Sequence, residues 1–127
     1  MNKLRILLAD DDVNFLRRFK VLGHAHFEVM TATSGHEALR ALAEDPPDAL
    51  LLDLAFREQP DGLAVLRQIR EAGSDLPVII VSDDTTQETA VTAMKAGAND
   101  YLSKAPNLDL LHLKIQKVLR EVAWREY

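Results

Sequence analysis

The sequence contains no cysteine, which excludes disulfides, thiolate metal sites and thiol nucleophiles and fits a reducing cytoplasm. It also lacks a basic excess. Fifteen Lys and Arg stand against 20 Asp and Glu, a formal net charge of −5. A sequence-independent nucleic-acid surface needs clustered cations in excess, and here the basic residues are dispersed among acids, so no direct nucleic-acid binding is expected. No apolar run approaches the roughly 20 residues of a membrane span, and Met1-Asn2-Lys3-Leu4-Arg5 leads into no signal-peptide core. The reading is a soluble protein with no membrane contact. No repeat, low-complexity tract or Pro/Gly/Ser linker divides the 127 residues, so residues 1–127 are expected to form one domain, long enough to close a core without disulfides or structural zinc.

What is present is an alternation of short apolar runs with longer helical patterns, the signature of βα units around a mostly parallel sheet. The predicted strands are Leu4 to Asp10, Phe27 to Ala32, Ala49 to Asp53, Val78 to Ser82 and Asp100 to Ser103. Ile6-Leu7-Leu8-Ala9, Leu50-Leu51-Leu52 and Val78-Ile79-Ile80-Val81 are continuously apolar, as strands covered on both faces must be. The second and fifth strands are more mixed and read as edges. Right-handed crossovers then favour a doubly wound α/β sheet of flavodoxin-like order 2-1-3-4-5 with five helices.

Five helices fill the intervals. The first, from about Asp12 to Leu22, is expected to bury Val13, Leu16 and Phe19. Ser34 with Glu37, and Thr85 with Glu88, make capping-box patterns ahead of the second and fourth helices. The second carries Leu39 and Leu42, and the fourth carries Val91 and Met94 and stops at Gly97. Asp61-Gly62 opens the third, with Leu63, Leu66 and Ile69, which ends near Gly73. Asn107 opens the last, whose stripe is Leu108, Leu111, Ile115, Val118 and Val122. Met94 and the phenylalanines of the first helix are expected in the core. Leu110 and Leu113 fall off the last stripe.

Open α/β sheets bind at the carboxyl ends of their strands. Those ends read Asp10-Asp11-Asp12, Asp53, Ser82 and, just past the fifth strand, Lys104. Each has a plainer reading alone: Asp12 as a helix cap, Ser82 as a turn residue, Lys104 as a solvated lysine. Their coincidence on one rim is what points to chemistry. Two carboxylates about 4 Å apart repel by roughly 4 kcal/mol at an effective dielectric near 20, so a cation is required. Oxygen ligands without His or Cys suit Mg²⁺ (or Mn²⁺), with Lys104 as a second compensating charge.

The ordered set Ile6-Leu7-Leu8-Ala9-Asp10-Asp11-Asp12, Leu51-Leu52-Asp53-Leu54, Asp61-Gly62-Leu63, Pro77 to Ser82 and Ala96 to Lys104 resembles the receiver-domain family of bacterial response regulators over the whole chain. The resemblance implies Asp53 as phosphoacceptor, and Asp10 and Asp11 as the acidic pair with Asp11 a direct Mg²⁺ ligand. It further implies the Ala55 backbone carbonyl as another ligand, Ser82 and Lys104 on the phosphoryl group, and Tyr101 as an aromatic switch working with Ser82. The donor would be a sensor histidine kinase, a phosphotransfer protein or a small phosphodonor. Such a protein catalyses only its own phosphorylation and dephosphorylation. It is a stand-alone receiver or one piece of a larger regulator, and the face made by the fourth helix, fifth strand and fifth helix is expected to hold a partner or a homodimer.

Three features depart from the family pattern. The family places Asp-Gly seven residues after the phosphoacceptor with Pro at the fourth, whereas Asp61 is eight after Asp53 and Arg57 takes the fourth place. Asp83 follows Ser82 where a small residue is usual and is expected to put negative charge near the phosphoryl group. Ala105 separates Lys104 from Pro106, and a cis bond at Lys104-Ala105 would cost about 2.5 to 4 kcal/mol. Two other classes compete: a pseudo-receiver that binds without being phosphorylated, and a haloacid-dehalogenase-type phosphatase using Asp10 and Asp12. Against the phosphatase, Asn14 stands where those enzymes favour Thr or Val; turnover of a phosphomonoester would revive it. An FMN-binding flavodoxin fits less, since its first loop must cradle phosphate and this one is three carboxylates.

Overall fold

The computed structural model describes residues 3–84, 86–104 and 107–125. The elements run β1 (Leu4–Ala9), α1 (Val13–Gly23), β2 (Phe27–Ala32), α2 (Gly35–Glu44), β3 (Ala49–Leu52), α3 (Gly62–Glu71), β4 (Val78–Ser82), α4 (Gln87–Lys95), β5 (Asp100–Ser103) and α5 (Leu108–Arg125). All strand pairs are parallel, in the order β2-β1-β3-β4-β5. The fold class, the order and the two edge strands are as the sequence predicts. β1 and β3 end one residue earlier than expected, so Asp10 and Asp53 stand just past the strands. Their amides still pair across the sheet, Asp10 N to Ala32 O at 2.9 Å and Asp53 N to Ala9 O at 3.0 Å.

The central strands β1, β3 and β4 are apolar where the sheet is covered on both faces. From Ile6 to Ala9, Leu50 to Leu52 and Val78 to Val81, no side chain is more than 1% exposed. Alternate residues face opposite layers. Ile6, Leu8, Leu51 and Ile79 pack with α1 and α5, while Leu7, Leu50, Leu52 and Ile80 pack with α2, α3 and α4. The helix caps follow sequence chemistry. Ser34 Oγ accepts from Glu37 N at 3.1 Å, and Asp61 Oδ1 accepts from Ala64 N at 2.9 Å.

Several helix expectations are corrected. In α1 the buried residues are Phe15, Leu16, Phe19 and Gly23, while Val13 is 54% exposed; as the first helical residue it stands beyond the end of β1, where the sheet no longer covers it. The cap of α4 is Thr86, whose Oγ1 accepts from Thr89 N at 3.4 Å; Thr85 lies outside the described residues. Val91 and Met94 are not core residues but about two-fifths exposed, because α4 reaches the core through Ala93, whose short side chain gives shallow contact. In α5 the expected stripe is buried or partly so, but His112 and Leu119 join it. His112 Nε2 is buried without a hydrogen-bond partner, 4.3 Å between ring centroids from Phe19.

Glycine matters where α3 begins. A Cβ on Gly62 would lie 2.0 Å from the Asp53 carbonyl oxygen and 2.5 Å from Leu54 Cα. The start of α3 is therefore pressed against the backbone that carries Asp53, with Gly62 N donating to Leu54 O at 3.0 Å.

Candidate functional site

The parallel sheet brings the carboxyl ends of β1, β3, β4 and β5 side by side, and the predicted residues meet there. One ligand atom each from Asp10, Asp11 and Asp53 lies within 4.8 Å of the others. Asp10, Asp53 and Ser82 are buried. Lys104 reaches in from the end of β5, its Nζ 2.5 Å from Asp10 Oδ2 and 3.4 Å from Asp53 Oδ2, and 4.7 Å from the centroid of the Phe15 ring. Its own amide is fixed to Ser82 O at 2.9 Å. The Lys104-Ala105 bond, where a cis peptide was weighed, lies outside the described residues.

Local backbone geometry aims these side chains. Asp10 Oδ1 accepts from Asp12 N at 2.9 Å, and Asp53 Oδ1 accepts from Ala55 N at 3.2 Å. Asp12 has the plainer role: its Oδ1 caps α1, accepting from Asn14 N at 3.0 Å and Phe15 N at 3.2 Å. The phosphatase reading would need this same carboxylate, one oxygen of which is engaged in the cap. Ser82 Oγ accepts from Asp84 N at 3.1 Å, and the Tyr101 hydroxyl donates to the Asp84 carbonyl. The two switch candidates thus meet on one loop residue. Asp83 is exposed, yet its charge helps hold Lys104 protonated.

Electrostatics follow from the burial. Desolvation pushes Asp10 up to about 6, against the opposing pull of Lys104 and the Asp12 amide. Asp53 is raised for the same first reason, with Lys104 again opposing. Burial alone would lower Lys104, but Asp10 and Asp53 hold it above its ordinary value. Three carboxylates and one ammonium leave the cluster short of positive charge. Asp10 Oδ2, 2.5 Å from Lys104 Nζ, shares that one ammonium with Asp53, so the buried carboxylate oxygens are incompletely neutralised, which is costly. A hard cation with oxygen ligands fits both deficits.

Some contributors had no signal in the residue pattern: the Phe15 ring beside Lys104, the Asp84 carbonyl that receives Tyr101, and the Arg57 amide, which donates to Asp11 Oδ2 at 3.1 Å. Gly62 was legible only as part of the Asp-Gly motif, not as the point where α3 touches the Asp53 backbone.

The sheet is five-stranded, parallel and of the order 2-1-3-4-5, with an acidic rim answered by one lysine. The family model for "Response regulator receiver domain" matches residues 6–116, and the chain belongs to that family, the receivers of two-component systems. It is 40% identical over 120 residues to "Response regulator MprA" of Mycobacterium leprae (strain TN), covering 92% of this chain and 51% of that protein. It is 37% identical over 118 residues to "Transcriptional regulatory protein ZraR" of Salmonella typhimurium, covering 92% of this chain and 26% of that one. The chain therefore spans about half the length, or less, of these relatives. Among solved structures, NtrX from Brucella abortus superposes with a TM-score of 0.89 at 30% identity, over 98% of this chain and 29% of that one. The receiver domain of the Francisella response regulator 1452 gives 0.85 at 26% identity, over 94% and 99%.

Among the described residues no helix is long and apolar enough to cross a membrane.

Proposed function

We propose that residues 1–127 act as one receiver domain that takes a phosphoryl group onto Asp53 in a Mg²⁺-dependent (or Mn²⁺-dependent) reaction and thereby changes a partner-binding face. The observation that carries this reading is the buried Asp53 carboxylate, 3.4 Å from Lys104 Nζ and within the three-carboxylate cluster. Asp10, Asp11, Asp53 and the Ala55 carbonyl would hold the cation, which supplies charge neutralisation for the carboxylate and the incoming phosphoryl oxygens.

An Asp53 carboxylate oxygen attacks phosphorus while the bond to the donor breaks. The electron pair of that bond leaves on the donor, which is the imidazole nitrogen of a phosphohistidine on a sensor kinase or phosphotransfer protein, or the acyl oxygen of a small phosphodonor. Such a transfer is loose, so positioning and charge stabilisation do most of the work. Lys104 compensates charge on the phosphoryl oxygens, and Ser82 donates its hydroxyl to one of them. Water later attacks phosphorus, returning the Asp53 carboxylate and inorganic phosphate, so the protein turns over no substrate but its own modification. When Ser82 turns to the phosphoryl group it gives up the Asp84 amide, and Tyr101, bonded to the same residue, responds. The face so changed is α4, β5 and α5, where Val91, Met94, Leu110 and Leu113 are each more than two-fifths exposed; a partner or a second copy docks there. The working compartment is the cytoplasm.

Intact mass after acetyl phosphate and Mg²⁺ tests the assignment. One added phosphoryl group is expected in the wild type and none in Asp53→Asn; an equal mass gain in the variant moves the acceptor elsewhere. A wild type that gains nothing under these conditions favours the pseudo-receiver.

A further inference from the structure

We propose that the backbone N–H of Arg57 is a positioning group for the metal site, holding the Asp11 carboxylate in the orientation in which it binds the cation. The inference rests on the metal reading above and adds a device to it. Of the three clustered acids Asp11 is the least buried, so its rotamer is the least determined by packing. The Arg57 amide fixes it by donating to Oδ2 at 3.1 Å, across 46 residues of sequence. A carboxylate has about four acceptor positions, so one hydrogen bond to Oδ2 leaves Oδ1 open. Partners of this kind orient a metal ligand before the ion arrives.

The residue type at position 57 is what makes the bond available. Arg57 occupies the place where the family pattern has proline, which has no N–H to give. The loop is closed at its base by Gly62 N to Leu54 O at 3.0 Å and braced by Asp61 N to Gln59 Oε1 at 3.1 Å. Its far side rests on α2. A Cβ added to Gly35 would fall 2.1 Å from the Pro60 carbonyl oxygen and 2.9 Å from Pro60 Cγ. Gly35 therefore lets the loop close onto α2, and the closed loop presents the Arg57 amide to Asp11. The Arg57 side chain itself is exposed, which separates what the amide does from what the guanidinium does.

The test is the affinity of the unphosphorylated full chain for Mg²⁺ alone, by calorimetric titration, with circular dichroism to confirm folding. Arg57→Pro removes the N–H and should weaken binding by about 10-fold to 100-fold, the range seen when such partners are lost. Alanine at position 57 keeps the N–H and should rescue the affinity. Gly35→Ala, which changes no ligand and no residue of the loop, should displace Pro60 and weaken binding in the same direction, and it decides the question if Arg57→Pro does not fold. Undiminished or tighter binding by a folded Arg57→Pro, or an equal loss in Arg57→Ala, overturns the inference while leaving the metal reading intact. A wild type that binds no Mg²⁺ overturns both.

Discussion

Ile6, Leu7 and Leu8 in β1 and Asp10 just past its end are buried to the same degree, none more than 1% exposed, yet burial has opposite consequences for them. For the leucines and isoleucine it removes apolar surface from water, worth about 25 cal/mol for each Å². For Asp10 it removes a charge from water and raises the carboxyl group to about 6. The same contrast holds along β3, where Leu50, Leu51 and Leu52 lead to Asp53. Interior and rim share strands, backbone pairing and burial, and differ in side-chain chemistry alone. The interior is where stability is generated, and the rim is where part of it is given up to keep carboxylates ready for a cation. Removing side chains from the two regions should therefore move stability in opposite directions.

The largest effect should come from the interior. Leu51→Ala opens a cavity in the middle of the sheet and should cost about 2 to 5 kcal/mol in denaturant unfolding. A loss under 1 kcal/mol would mean that this layer is far more plastic than its packing implies.

At the rim the sign reverses. In metal-free protein the raised Asp10 group binds its proton more tightly folded than unfolded, so its contribution is fully present below about 4 and is lost as pH rises through about 6. Asp10→Asn should therefore be more stable than wild type at pH 7 by on the order of 1 to 2 kcal/mol, once the lost Lys104 pairing is set against the relieved desolvation. The advantage should shrink as pH falls towards 4. A variant less stable than wild type at pH 7 in chelator would show that the Lys104 pairing outweighs the desolvation.

His112 is a polar group placed in the interior rather than at the rim, and it refines the comparison. Burial lowers it below the ordinary histidine value, so the unfolded chain protonates first, and wild-type stability should fall as pH drops below about 6.5. His112→Leu removes the unpartnered nitrogen and should gain about 1 kcal/mol at pH 5 relative to wild type, with a smaller difference at pH 8. Parallel pH profiles for the two proteins would contradict this, with urea midpoints as the readout.

Much of this division was legible in the sequence. Continuous apolar runs in β1, β3 and β4 identify strands covered on both faces, and an acidic or basic residue at the end of such a run has only the rim to occupy. Asp10, Asp11 and Asp53 could be assembled in that way, and Ser82 and Lys104 from their places at the ends of β4 and β5. What escaped depended on how elements meet. Val13 and Met94 are apolar and at helical spacing, but their exposure is set by how far α1 overhangs the sheet and how lightly α4 docks. His112 looks like a surface histidine until α5 is laid against Phe19. The Arg57 amide could not be found by residue type, because every residue except proline carries the same N–H and only the loop path decides where it points.

The most direct test of the division between interior and rim is the unfolding midpoint of wild type and Asp10→Asn, each with chelator and with saturating Mg²⁺. The account predicts that Asp10→Asn is the more stable protein in chelator. It predicts that Mg²⁺ raises the wild type, since a ligand that binds only the folded state stabilises it, and raises the variant far less, so that the gap closes or inverts. A wild type unmoved by Mg²⁺, or a variant that starts lower in chelator, would contradict the claim that the rim carboxylates are held at a cost for the sake of the cation.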